Sequence, residues 1–197
     1  MPKNEKTTIY KILYEKYVNE MFSYGIALGI EEETLFDLIH DVFLHLIEHQ
    51  NELPGEGCEK YYLLKSLKNR WISYKRKEVS IEDIYDVGDY EFSISVSGLS
   101  LIEEEEKRKE VMELVGKMLQ CLTGRQKEAI YLRFMQGLEY DEIAKLLSLT
   151  TKGSRKLVYR AMDRIRERYL PVLIYFLLAN NFFSFNGGKS DFSTFID

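Results

Sequence analysis

Cysteine and proline are scarce in this chain, and each scarcity removes a class of explanation. The two cysteines, Cys58 and Cys121, stand far apart without CxxC spacing, which excludes a disulfide framework or a zinc ribbon and fits unlinked thiols in a reducing compartment. Only three prolines accompany 14 tyrosines, so long disordered tracts are not expected. No Gly-rich phosphate loop, H-E-x-x-H or nucleophile motif occurs, so the sequence predicts neither an enzyme nor a cofactor. His40, His45 and His49 share one helical run, the last two at i, i+4 spacing. No further Cys/His cluster completes a coordination shell, and no metal is expected. The start, "MPKNEKTTIYK", lacks the apolar core of a signal peptide, which predicts a cytoplasmic protein.

What the chain does have is charge, and it is segregated. The net charge is −5, yet residues 60–77 hold seven basic side chains and no acid. Residues 78–106 then hold ten acids and no base. Residues 148–168, "SLTTKGSRKLVYRAMDRIRER", return to seven basic residues against two acids. One such run reads as a solvated helix face. Two, each on a helix with an intact apolar stripe and joined by an acidic bridge, point to two polyanion-binding units.

Apolar spacing predicts an all-α chain of two small helical domains. A first helix covers about Thr8–Leu28 and ends at Gly29. In "TLFDLIHDVFLHLIEH" the stripe Leu35, Leu38, Ile39, Val42, Phe43, Leu46 and Ile47 marks a second, with Thr34 as its cap. Its polar face carries Asp37, His40, Asp41 and His45 together with Leu44, an apolar residue among acids that hints at a partner surface. After the break "NELPGEGCE", a third helix over about Lys60–Lys77 is expected to bury Leu63, Leu64, Leu67, Trp71 and Tyr74, and to present Lys65, Lys68, Asn69, Ile72, Lys75 and Arg76. The expected organisation is therefore a first domain over 1–78, an acidic linker over 79–108, a second domain over 109–169 and an apolar tail over 170–197.

In the second domain, Thr123 and Gln126 fit a capping box before the helix "QKEAIYLRFMQ", which Gly137 closes. "DEIAKLL" follows, then a turn at Ser148–Thr150, then a basic helix from about Thr151. That helix is expected to bury Leu157, Val158, Ala161 and Ile165. A short helix with small Ala144 facing its successor, a tight turn and a basic amphipathic helix form the helix-turn-helix pattern. Lys152, Arg155, Lys156, Tyr159 and Arg160 are the face such a helix would lay in the major groove.

These segments carry a family likeness. "LTGRQKEAIYLRFMQGLEYDEIAKLLSLTTKGSRKLVYRAMDRIR" resembles the C-terminal, −35-binding domain of bacterial RNA polymerase sigma factors. "LYEKYVNEMFSYGIALGIEEETLFDLIHDVFLHLIE" with "YYLLKSLKNRWISYKRK" resembles their N-terminal, −10-binding domain. Two such domains on a short linker look like the extracytoplasmic-function (ECF) subgroup of the sigma-70 family. The resemblance implies binding to core RNA polymerase and promoter DNA, with an anti-sigma factor as a further partner. It implies that Asp37, His40, Asp41 and Phe43, with Leu44, meet the clamp coiled coil of the polymerase. Tyr62, Lys65, Lys68, Asn69, Lys75 and Arg76 fall where the family melts and captures the −10 element, and Lys152, Arg155, Lys156, Tyr159 and Arg160 where it meets the −35 element. The linker lies where the family threads the polymerase's RNA-exit region.

Four positions depart from the family pattern. His40 stands for a usual Gln, Leu157 for a common Arg, Glu139 for a Ser cap, and Gly153–Ser154 for a Thr–Val pair, which predicts a loosely packed start of the last helix. Two other readings use the same residues: a helix-turn-helix regulator acting without core polymerase, and a sigma mimic that titrates an anti-sigma factor. The basic helices count against the mimic. In the tail, Leu170–Phe185 is apolar but short of the ~20 residues a membrane span needs, so no stable insertion is expected. Packing against the chain's own domains, or cover by a partner such as an anti-sigma factor, is expected instead.

Overall fold

The computed structural model describes residues 3–49, 57–78, 90–94 and 105–179. Residues 51–56 of the expected break "NELPGEGCE", most of the acidic linker and the end of the apolar tail lie outside the described residues. Among the described residues all regular structure is helical: α1 (Lys3–Ala27), α2 (Glu32–His49), α3 (Glu59–Glu78), α4 (Glu105–Gln120), α5 (Gly124–Ile130), α6 (Tyr140–Leu146) and α7 (Thr151–Ala179).

The first domain is a three-helix unit. α1 begins five residues earlier than its apolar spacing suggested and ends where Gly29 takes φ of 75°, a left-handed conformation that glycine adopts without strain. α2 begins at Glu32, so Thr34 lies inside it rather than capping it, while Glu32 and Glu33 sit at the positive end of the helix dipole. Leu35, Leu38, Ile39, Val42, Phe43 and Leu46 are buried as the stripe predicts, but Ile47 is exposed. On α3, Leu63, Leu64 and Leu67 are fully buried. Trp71 is only half-buried and Tyr74 is exposed; the two rings stack at 5.7 Å near the end of the helix instead of entering the core.

The second domain opens on the expected capping box, Gln126 N–H donating to Thr123 Oγ1 and Thr123 N–H to Gln126 Oε1. The helix then widens into a π turn over Tyr131–Met135, where Gln136 N–H reaches Tyr131 O, before Gly137 reverses the chain at φ of 69°. Ser148, with φ of 54°, forms the tight turn between α6 and α7. α7 is one helix through Leu170 to Ala179, so the boundary expected at 169/170 falls inside a helix.

The two domains share one core. Residues 90–94 run between them without regular structure, with Phe92 fully buried against Tyr131 (5.4 Å between ring centres) and Tyr24 (6.3 Å). Ser93 N–H donates to Ala27 O at the end of α1, fixing this segment to the first domain. The linker is thus in part a packed element, which its acidic, aperiodic composition did not predict.

Candidate nucleic-acid interface

α7 presents its cationic face to solvent. Lys152, Arg155, Lys156, Tyr159 and Arg160 are all exposed, Tyr159 at 57%, while Val158 and Ala161 on the opposite side are buried. Leu157 and Ile165 are half-buried. The expected loose start of this helix is not found. Gly153 N–H donates to Thr150 Oγ1 at 3.0 Å, and the fully buried Ser154 Oγ donates to Tyr140 O at 2.6 Å, tying the first turn of α7 to the start of α6. Ser154→Ala is expected to cost about 1 kcal/mol, the net worth of one buried hydrogen bond. Thermal unfolding that leaves the midpoint unmoved would contradict that role.

Tyr140 also orders the arginines. Its ring lies between Arg133 (4.7 Å) and Arg155 (5.4 Å), and Arg133 bonds Glu139 Oε1 at 3.0 Å. Glu139, which stands in place of a serine cap, has its own N–H satisfied by Glu142 Oε2 at 2.8 Å. The negative charges at the start of α6 thus favour the helix dipole and hold a guanidinium.

The basic side chains of α3 are divided. Lys75 and Arg76 are exposed, with Lys75 over the Trp71 ring at 4.7 Å. Asn69 is exposed, and with the half-buried Tyr62 it lines a groove between α2 and α3 that also touches Leu38, Asp41 and Arg70. Lys65 donates to Tyr61 Oη at 3.0 Å. Lys68 points away from all of these. Its Nζ lies 2.8 Å from both carboxylate oxygens of Glu128 on α5, with a side-chain exposure of 14% against 0% for the acid.

On α2, Asp37, His40, Asp41 and Leu44 form an exposed row, Leu44 at 53%. Asp41 lies 3.5 Å from Arg70 of α3, and His40 stacks beside Tyr14. Phe43 is buried against Tyr14 at 5.0 Å, so it shapes this surface from beneath.

Sequence reading missed the centre of the molecule. Glu128 takes a hydrogen bond from the Tyr24 hydroxyl as well as from Lys68, and Lys68 sits over the Tyr90 ring at 5.2 Å. Burial lowers the Lys68 ammonium below its ordinary pKa, against the opposing pull of Glu128. Burial, with the Glu128 charge beside it, raises the Tyr24 hydroxyl well above its ordinary range, so it remains a donor. Desolvation offsets most of the attraction in such a pair, but losing one partner leaves a buried charge uncompensated, at a cost of about 3–5 kcal/mol. The signal was present: Glu128 lies one residue before buried Ala129 and four before buried Leu132, an acid on an apolar stripe.

Residues 112–165 match the family model "Sigma-70, region 4". Over 161 residues the chain is 23% identical to the ECF RNA polymerase sigma factor SigX of Bacillus subtilis, covering 80% of this chain and 82% of that one. It is 36% identical over 61 residues to the ferric citrate uptake sigma factor FecI of Escherichia coli, or 31% and 35% of the two chains. In fold it is similar to the sigma factor RpoE of Bartonella quintana, solved in complex with the anti-sigma factor NepR, with a TM-score of 0.53, 21% identity, and 84% and 96% of the chains covered.

Proposed function

We infer that this chain is a sigma factor of the ECF subgroup of the sigma-70 family, which binds core RNA polymerase and directs it to a defined set of promoters. The carrying observation is the pair of cationic helices, α3 and α7, one in each domain and in the family's order. Here the protein supplies recognition, and the polymerase supplies the chemistry. Lys152, Arg155, Lys156, Tyr159 and Arg160 meet the −35 element. Tyr62, Lys65, Asn69, Lys75 and Arg76 meet the −10 element, where lysines follow the backbone and aromatic faces stack on bases, whereas Lys68, expected on the same surface, is held by Glu128 in this arrangement. The row Asp37, His40, Asp41 and Leu44, supported by Phe43, docks on the polymerase. An anti-sigma factor is the natural antagonist, as NepR is for the similar RpoE fold, and the site of action is the cytoplasm.

Transcription in vitro from a genomic promoter library, with core polymerase plus or minus this chain, tests the reading. Transcripts whose start sites depend on the chain are expected, and their complete absence would refute it. Within that assay, Arg155→Ala is expected to relax preference at one −35 position, costing about 1–3 kcal/mol if the guanidinium reads a base edge. A uniform loss across all promoters would instead make Arg155 a phosphate contact. Tight, salt-dependent duplex binding by the isolated protein with no effect on polymerase would favour a conventional regulator.

A further inference from the structure

We propose that Glu128 is an internal latch: it occupies Lys68 as a stand-in for nucleic-acid phosphate and holds the two domains closed, so that DNA engagement requires the latch to open. Lys68 lies on the basic helix α3, yet both oxygens of a fully buried carboxylate from the other domain take its charge at 2.8 Å. A phosphate offers a lysine the same kind of partner, two anionic oxygens at hydrogen-bond distance. Tyr24 of α1 donates to the same carboxylate, so one acid gathers groups from two helices of the first domain.

The closure is built from more than the ion pair. Lys60 of α3 donates to Gln136 O at 3.2 Å, and Lys145 of α6 sits over the Tyr61 ring at 5.9 Å, so two further cations near α3 are turned toward the domain contact. The segment 90–94 completes the clasp: a β-carbon on Gly124 would overlap the Tyr90 carbonyl, so only glycine lets α5 approach it. Among the described residues, the buried Tyr90 hydroxyl has no hydrogen-bond partner.

Geometry demands the opening. By their positions, the −10 and −35 elements are centred about 25 base pairs apart, or ~85 Å at ~3.4 Å per base pair. In the closed arrangement α3 and α5 touch, and even the longest helix, α7, spans only ~44 Å, or 29 residues at ~1.5 Å each. The closed arrangement therefore cannot serve both elements at once. This purpose rests on the sigma-factor reading, whereas the latch itself rests on the contacts between the domains.

Two variants of the full chain test it by different routes. Glu128→Gln is isosteric and still accepts from Tyr24, but it leaves Lys68 a buried cation without a counter-charge. Gly124→Ala touches no charge and lifts the 90–94 segment. Both are expected to increase the radius of gyration in small-angle X-ray scattering. Both should also bind a labelled oligothymidylate of about 16 nucleotides roughly tenfold more tightly, because apparent affinity scales with the open fraction. Adding Lys68→Met to Gly124→Ala, whose opening does not depend on the charge pair, is expected to abolish the gain while the chain stays expanded.

Folded variants, judged by far-UV circular dichroism, that stay compact with unchanged affinity overturn the latch. Expansion without tighter binding, or a gain that survives Lys68→Met, overturns the masking of Lys68. If Glu128→Gln does not fold, Gly124→Ala decides. Parallel transcription assays separate the two readings: opening with tighter binding, but no polymerase-dependent transcript from any form, keeps the latch and refutes the sigma-factor function.

Discussion

Leu35→Ala is expected to destabilise the first domain by about 2–5 kcal/mol, and adding Gly25→Ala is expected to restore part of that loss. Gly25 lies in the last turns of α1, where a β-carbon would overlap the side chain of Leu35 on α2. Leu35 is fully buried, and interiors are close-packed, so its side chain can yield only by displacing neighbours. Gly25→Ala alone should therefore cost about 1–3 kcal/mol by overpacking. Once Leu35 is shortened, the same methyl fills the cavity and also removes the entropic cost of a helical glycine, up to about 1 kcal/mol. The substitution changes sign with its background. Thermal unfolding of the four proteins measures it, with midpoint shifts of roughly 2–4 °C per kcal/mol for a chain of this size. Additive effects would show that α1 and α2 do not approach through this glycine.

The sequence disclosed what is periodic and local. The buried stripe of α2, the capping box at Thr123 and Gln126, the exposed cations of α7 and the tight turn at Ser148 each follow from spacing within one element. Errors came where the deciding contact is distant in sequence. Tyr74 and Trp71 fit an apolar spacing but stack on each other near the end of α3, Trp71 at the edge of the core and Tyr74 exposed beside the groove with α2. Lys68 reads as one basic face with Lys65 and Asn69, but at about 100° per residue it lies nearer to buried Leu64 than to exposed Asn69. Its partner, Glu128, is 60 residues away. An acid on a buried stripe and a lysine on a basic one are each ordinary; only the domain contact makes them a pair. The helix boundaries moved for a similar reason. Residues on the aperiodic side of Thr8 still continue α1, whose buried residues from Tyr10 to Ala27 anchor it along the domain.

Phe92→Ala is expected to produce the largest structural change of any single truncation, because one side chain joins both domains to the linker. Its ring is fully buried against Tyr24 of the first domain and Tyr131 of the second, edge-on to the latter, and these two tyrosines also stack on each other at 6.0 Å. Truncating a buried phenylalanine costs about 3–5 kcal/mol through lost transfer energy and the cavity left behind. Here the cavity would lie where the two helical units meet, so their separation would relieve it. The wild-type chain is expected to melt in one transition, since its core is continuous across the domains. The variant is expected to melt in two, with amide exchange accelerated first at the Ser93–Ala27 hydrogen bond and in α5. The Lys68–Glu128 pair would loosen with it, because the Tyr90 ring that shields it belongs to the same five-residue segment. Calorimetry showing a single, unshifted transition would mean that the segment merely lies in the groove. Two transitions would identify the linker as the wedge through which an acidic, aperiodic stretch of sequence governs how two helical domains are held.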